Sequence, residues 1–545
     1  MARALGSDVI FHLSRGAFPD RSTDVAFVPK PGNVVVRWSG EGLGTDRADP
    51  RTTHSTPWDY HQRVPLLLYG PGLVREGVRS DRPVDVTDIA PTVGELVGMS
   101  FEAPDGSPLR EALAPGAGRE SPAVVAVVAY DGGGWNLLER WPDAWPVERR
   151  LAREGTVYLN ATIGSAPSVT SAIHANIGTG AYPRTHGMPE ITGRLPDGTI
   201  GDVWFDEAMD PRLLEIPTVA DRWDRAHDNR PWVGIVAYES WHLGMMSHGA
   251  ATPDGDRDVA VLWEQDEEGP EPGHLVTGEA YYSMLEGLPG PEALAGHLED
   301  LDGSDGARDG TWMGRDLSDP AVVPATPAFV DYQGEVLFDL LREEQIGRDA
   351  ITDLVFLEMK PTDFGGQLWN MVGPEEEFTL RAQDRLLGGL VRELERAAPG
   401  RWAMIVTADH GQTPLPETTG GLRIHPDILG RDVERYFGRD IVQKVTPSGM
   451  FLDRERMDRA GITLDEVARF VGSYRYGDGL PPDADREAIP PESLEERVFA
   501  GALPSTYLAE VTEEEIEELG AGDHAEGDLT SPGPTSRFAR LLGLG

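Results

Sequence analysis

The sequence predicts an α/β fold, a three-layer α/β/α sandwich around a mostly parallel sheet. Two observations carry that prediction. Four apolar runs stop abruptly at polar or glycine-rich turns: Ala123 to Trp135, Trp232 to Trp241, Ile351 to Asp363 and Arg401 to Gln412. Near-continuous Val/Ile/Leu runs of this kind suit strands covered on both faces. Between them lie stretches with apolar residues three and four apart, such as "FTLRAQDRLLGGLVRELERAA", which suit helices. Alternating strands and helices define the class. In such sheets functional groups collect at the carboxyl ends of the strands, where Asp131, Asp363, Asp409 and His410 fall.

Taken in order, the first 115 or so residues hold four short runs read as strands, "DVIFHL", "DVAFVP", "NVVVRW" and "VPLLLYG". A helix follows in "DVTDIAPTVGELVGM", with Asp88 as its expected N-cap. A Pro/Gly linker, "EALAPGAGRESPA", leads into the Asp131 strand. Residues 121–190 and 345–440 read as the core of the α/β domain. Residues 190–345 are rich in Asp, Glu, Gly and Pro and read as an inserted cap, with "EDLDGSDGARDGTWMGRD" as loop. Residues 441–545 read as an acidic accessory segment with a short helix at "TEEEIEELG".

Composition limits the function. The 545 residues exceed one ordinary core. A formal charge of -44 opposes nonspecific binding to nucleic acid duplexes or anionic membranes. An anionic substrate then requires a local positive field, which a bound dication supplies. Lysine occurs only at Lys30, Lys360 and Lys444, a scarcity that coding bias explains. With no cysteine, disulfides, thiolate zinc sites and cysteine nucleophiles are excluded. No run reaches the ~20 apolar residues that cross a bilayer, and the N-terminus has no signal-peptide pattern. The expectation is a cytoplasmic protein.

Three pieces carry chemistry. "TADHGQ" sets Asp409 and His410 at a strand end, an oxygen-plus-nitrogen pair that dications accept; the alternative is a solvated turn. "VVAYDGGG" sets Asp131 at a strand end before three glycines, either beside a ligand or as a helix cap. "SAPSVTSAIHANIG" brings Ser168, Thr170 and Ser171 to a helix start, where backbone N–H groups favour an anionic phosphoryl oxygen. A plain Ser/Thr cap is the other reading.

Together these segments resemble the alkaline phosphatase superfamily, and within it the type I phosphodiesterase and nucleotide pyrophosphatase branch. The matching segments are "VVAYDGGG", "SAPSVTSAIHANIGTGAYPRTHG", "VFLEMKPTDFGGQLWN" and "IVTADHGQ". The resemblance implies a metal-dependent phosphoric ester hydrolase. It implies a threonine nucleophile, Thr170, and two divalent ions, zinc first with manganese or magnesium as alternatives. One ion would use Asp131, Thr170, Asp409 and His410. The other would use Asp363, Gln367 and a late histidine. Relatives carry that histidine near the end of the domain, ahead of "VPLLFYGPG"-like and "DIAPTLA-LLG"-like segments. Here "TTHSTPWDYHQRVPLLLYGPG" and "VDVTDIAPTVGELVGM" match them yet come first, so the chain resembles a circular permutant with His54 as the ligand.

Two departures stand out. Gln367 occupies an imidazole position, which points to a weaker or absent ion there, or to another histidine such as His248. Ile191 stands where relatives place a phosphate-binding asparagine, so that contact falls to a backbone N–H or His174. The competing readings are Ser168 as nucleophile, a sulfatase, and a non-catalytic phospho-ligand binder. The sulfatase motif fails at Val169, which replaces its arginine after Ser165 and Pro167. Trp204, Trp223, Trp241 and Trp263 suit either packing or stacking on a substrate ring.

Overall fold

The computed structural model describes residues 2–37, 51–116, 118, 121–204, 208–265, 273–480, 486, 489–520 and 522. Its centre is a ten-stranded sheet. Five neighbouring strands run parallel in the order Asp258–Glu264, Val233–Val236, Asp353–Met359, Val124–Tyr130 and Trp402–Ala408. All seven residues of Val124–Tyr130, of Asp353–Met359 and of Trp402–Ala408 are buried. β-Branched and apolar side chains fill both faces there, as a sheet with helices on each side demands.

One helical layer contains Ile89–Val97, Thr170–Thr179 and Val219–Ala226. The other contains Pro146–Glu154, Pro327–Glu343 and Pro374–Ala397. Proline opens each helix of the second layer, where its missing N–H costs no intrahelical bond. Pro374–Ala397 also begins with Glu375, Glu376 and Glu377 and has Arg396 in its last turn, matching the helix dipole at both ends.

The leading segment divides. Leu66–Tyr69 enters the large sheet, antiparallel to both Trp402–Ala408 and Thr156–Tyr158. Val25–Pro29 instead joins a separate antiparallel sheet with Val442–Val445, Gly449–Leu452 and Phe499–Pro504. That sheet has its own core, which includes Phe27, Leu429, Val433, Val467 and Phe499.

Several expectations require correction. "DVIFHL" is helical, within Ser7–Gly16, with Val9, Ile10 and Leu13 buried at helical spacing. Asp88 makes no capping bond; Asp85 accepts from Thr87 N at the start of that turn, while Asp88 accepts from Ser107 N at 2.7 Å. The "EDLDGSDGARDGTWMGRD" stretch starts inside the helix Pro291–Asp302 and ends in the hairpin Thr311–Trp312 with Arg315–Asp316. The region read as a cap also gives the large sheet Val233–Val236 and Asp258–Glu264. The short C-terminal helix is present as Glu513–Glu517, with Thr512 and Glu515 forming a capping box; most of the acidic tail beyond it lies outside the described residues. Among the described residues no helix is long and apolar enough to cross a membrane.

Candidate active site and metal centre

The carboxyl ends of the parallel strands meet at one point. Asp131 follows Val124–Tyr130, Asp409 and His410 follow Trp402–Ala408, and Lys360 and Asp363 follow Asp353–Met359. The glycines let these turns touch. Gly132 has φ +67, and a Cβ there would lie 3.0 Å from the Asp363 Cα; one on Gly134 would lie 2.4 Å from the Gly411 Cα. The glycine triplet therefore brings strand ends together, and its helix starts at Gly134 with no side-chain cap, so Asp131 is not capping it.

The leading segment closes the site. The His54 Nε2 is 3.5 Å from Asp363 Oδ1, and its ring stacks on His410 at 3.6 Å between centroids. The His54 Nδ1 donates to the Ser168 carbonyl at 2.6 Å, and His410 Nδ1 donates to the Gly411 carbonyl at 3.0 Å. Both rings thus turn Nε2 toward the carboxylates, as metal-ligating histidines do. Thr170 is the first residue of Thr170–Thr179, and its hydroxyl faces Asp131 Oδ2 at 3.4 Å. Ser168 is elsewhere engaged: its hydroxyl donates to the Thr56 carbonyl and accepts from Ser55 N.

Four buried carboxylates share the site with a single ammonium. The Lys360 Nζ is 2.8 Å from Asp131 Oδ2 and 2.6 Å from Asp363 Oδ2. Behind Asp131, the His242 Nε2 lies 3.2 Å from Asp131 Oδ2 and 3.4 Å from Glu358 Oε1. The surplus negative charge shows in the protons it retains. Burial and then the Asp131 charge push Asp409 up to about 8, and the same two causes hold Glu358 well above the carboxylate range. Burial opposes the proton on His410, but Asp409 and Asp131 hold it to about 9. His54 falls to about 4, through burial and the neighbouring His410. Burial opposes the charge on Lys360 too, yet Asp131 and Asp363 keep its proton well above the ordinary range.

The comparisons with known proteins give the family and the fold. The family model described as type I phosphodiesterase / nucleotide pyrophosphatase matches residues 125–443, more than half of the chain. The chain belongs to this phosphodiesterase family. Its members are phosphoester hydrolases. A curated relative, alkaline phosphatase PafA of Elizabethkingia meningoseptica, is 21% identical over 448 residues, covering 70% of this chain and 79% of that protein. The crystal structure of wild-type PafA superposes with a TM-score of 0.54 at 18% identity, covering 69% of this chain and 82% of that one. A multiple mutant of PafA gives 0.53 at the same identity, covering 70% and 85%. The structural likeness establishes the alkaline phosphatase-like fold of this chain.

The residues of this chain fit a cation at one position well. Asp131, Asp409 and His410 each offer a ligand atom within 4.8 Å of the others. Asp131 Oδ1, Asp409 Oδ2 and His410 Nε2 are buried with no hydrogen-bond partner, a costly state that a shared dication relieves. At the second position His54, Asp363 and the same His410 come together, with Asp363 Oδ1 3.5 Å from His54 Nε2 and without a hydrogen bond. Gln367, however, presents its amide nitrogen, which donates to Asp363 Oδ2 at 2.6 Å.

His248 is not recruited, because its ring nitrogens engage Asp221 at 2.5 Å and the Leu214 carbonyl at 3.0 Å. His174 does lie close, with Nε2 3.7 Å from Asp409 Oδ2 and neither ring nitrogen hydrogen-bonded. Trp204, Trp223 and Trp263 are buried in the main core, and Trp241 packs against it. Lys360, His242 and Glu358 were not singled out from the sequence as site residues. The only signal for Glu358 was an acid following the apolar run Leu354 to Leu357 of its strand.

Proposed function

We propose that this protein hydrolyses small-molecule phosphoric esters by in-line transfer to Thr170 and release from a phosphothreonine. The observation that carries the reading is the placement of the Thr170 hydroxyl, at a helix start and 3.4 Å from an aspartate of the Asp131–Asp409–His410 cluster. A dication held by those residues supplies Lewis-acid charge and lowers the pKa of the hydroxyl. Thr170 Oγ1 forms a bond to phosphorus as the bond to the leaving oxygen breaks. The hydroxyl proton passes to solvent and the leaving alkoxide takes a proton from water; the released proton and the hydroxide so formed combine to water. A second water then attacks phosphorus, and its hydrogen restores the threonine hydroxyl. The first turn of Thr170–Thr179 turns free N–H groups toward the anionic phosphoryl oxygens.

Zinc is the first choice for the ion, with manganese or magnesium as alternatives, because the ligand set mixes carboxylate and imidazole. A sulfatase is disfavoured, since the Ser165 hydroxyl is paired with the Asn176 amide at 3.0 Å. The reading also includes circular permutation. The family match begins at residue 125, whereas His54 and the Leu66–Tyr69 strand come before it.

Hydrolysis of p-nitrophenyl phosphate and of its bis-ester tests the proposal. Wild type loaded with metal should turn over at least one ester. Thr170→Ala should lose turnover by ~10³-fold or more with fold and metal content unchanged. A Thr170→Ala variant that keeps more than a tenth of the rate would exclude the threonine.

A further inference from the structure

Lys360 is one of three lysines in a chain whose 48 basic residues are otherwise arginine. At this position the choice has a physical reason. A compact ammonium fits between two carboxylates, whereas a planar guanidinium reaches past them. Lys360 is 4% exposed, and its Nζ touches one oxygen each of Asp131 and Asp363 and lies 4.8 Å from the centroid of the Phe364 ring. Asp363 Oδ2 is occupied by that ammonium and by the Gln367 amide N–H. What remains at the His54 position is Asp363 Oδ1 and His54 Nε2 beside a fixed positive charge, and the third donor within reach there, His410, is the same ring that completes the Asp131–Asp409 group. The Asp131–Asp409–His410 position keeps three donors without hydrogen bonds, His410 Nε2 lying 3.3 Å from an oxygen of each carboxylate.

We propose that Lys360 takes the electrostatic place of one of the two dications. The chain then holds a single ion tightly, between Asp131, Asp409 and His410. The ammonium fixes Asp131 against Asp363 and supplies the positive charge on the His54 side, while Gln367 anchors the shared carboxylate by donating to it. The assignment rests on the proposed phosphoryl-transfer site for its catalytic meaning, but the ion count stands apart from activity.

The full chain, stripped of metal and reloaded with manganese, gives the test. After gel filtration, wild type should retain about one ion per chain and show the EPR spectrum of isolated Mn(II). The double variant Lys360→Met, Gln367→His should retain two ions with an exchange-coupled spectrum. The second ion should bind at least ~10-fold more tightly than in wild type. Two ions held with similar affinity by wild type would overturn the proposal, as would a folded double variant that stops at one. If circular dichroism shows the Lys360→Met change unfolded, Gln367→His alone decides. With the ammonium present it should stay at one ion, and a second ion would assign the exclusion to the amide instead. Failure of one-ion wild type to hydrolyse either p-nitrophenyl ester would sink the functional proposal while leaving the ion count in place.

Discussion

At the residue scale the site is defined by buried carboxylates whose charge, without a cation, is offset by Lys360 and by the protons kept on Asp409, Glu358 and His410. Asp131, Asp363, Asp409 and Glu358 are all buried, and Lys360 is the lone ammonium among them. Folding this arrangement without a cation costs desolvation that a bound ion offsets. Chelation should therefore lower thermal stability as well as stop turnover. Readdition at 100 times the dissociation constant should restore about 2.7 kcal/mol by mass action. Calorimetry with and without metal measures this, and an unchanged Tm would mean that the cluster binds no ion in the folded state. Asp131, Asp409, His410 and Asp363 were legible because each follows an apolar run, and His54 because its flanking motif survives. Lys360 was hidden by composition, where a rare lysine passes for coding bias. His242 was hidden because it follows a short strand in a region whose composition reads as an insertion.

Elements are joined at this site by groups that single-segment patterns do not reveal. The helix Pro146–Glu154 has no side-chain cap of its own. Asp384, on the neighbouring helix Pro374–Ala397, accepts from both Val147 N and Glu148 N at 2.9 Å and serves as its cap. Asp384→Ala should cost about 1–2 kcal/mol, read by denaturant unfolding. The same contact places Glu148 beside Asp384, with both carboxyl oxygens buried and unpartnered. Burial and then the Asp384 charge push Glu148 up to about 8 from its ordinary 4.5. Native protein keeps that proton through a range in which unfolded chain has lost it, so stability falls as pH rises from about 4.5 to about 8. Glu148→Gln should flatten this decline and stabilise by a few kcal/mol at pH 8 with little effect near pH 4.5. Parallel pH profiles for variant and wild type would refute the assignment. Strand identity was legible wherever both faces are buried, as in Val124–Tyr130. It failed for "DVIFHL", because a six-residue apolar run fits either period and only its packing in Ser7–Gly16 decides.

Across the whole molecule, order along the chain and order in space are uncoupled. The strand Leu66–Tyr69 lies between Trp402–Ala408 and Thr156–Tyr158, so a leading segment completes a sheet whose other strands come later. The family resemblance implies such an arrangement, because the segment of His54 and "VPLLLYGPG" comes first here. It could not show that residues near both ends of the described chain meet. Ser7 N donates to the Gly520 carbonyl at 2.9 Å, and the Gly522 backbone lies against Leu5. A short Gly/Ser linker of about five residues spans such a gap with little strain. A rearranged chain of residues 121–522, that linker and residues 2–116 should therefore fold, with His54 now late in the sequence. Connectivity changes while every contact in the sheet and site is kept, so metal content should match wild type and kcat/KM should stay within about tenfold. A His54→Ala change should weaken kcat/KM by the same factor in both connectivities, since the imidazole meets Asp363 in each. A rearranged chain that folds by circular dichroism but is insensitive to His54→Ala would show that the leading segment does not belong to the site.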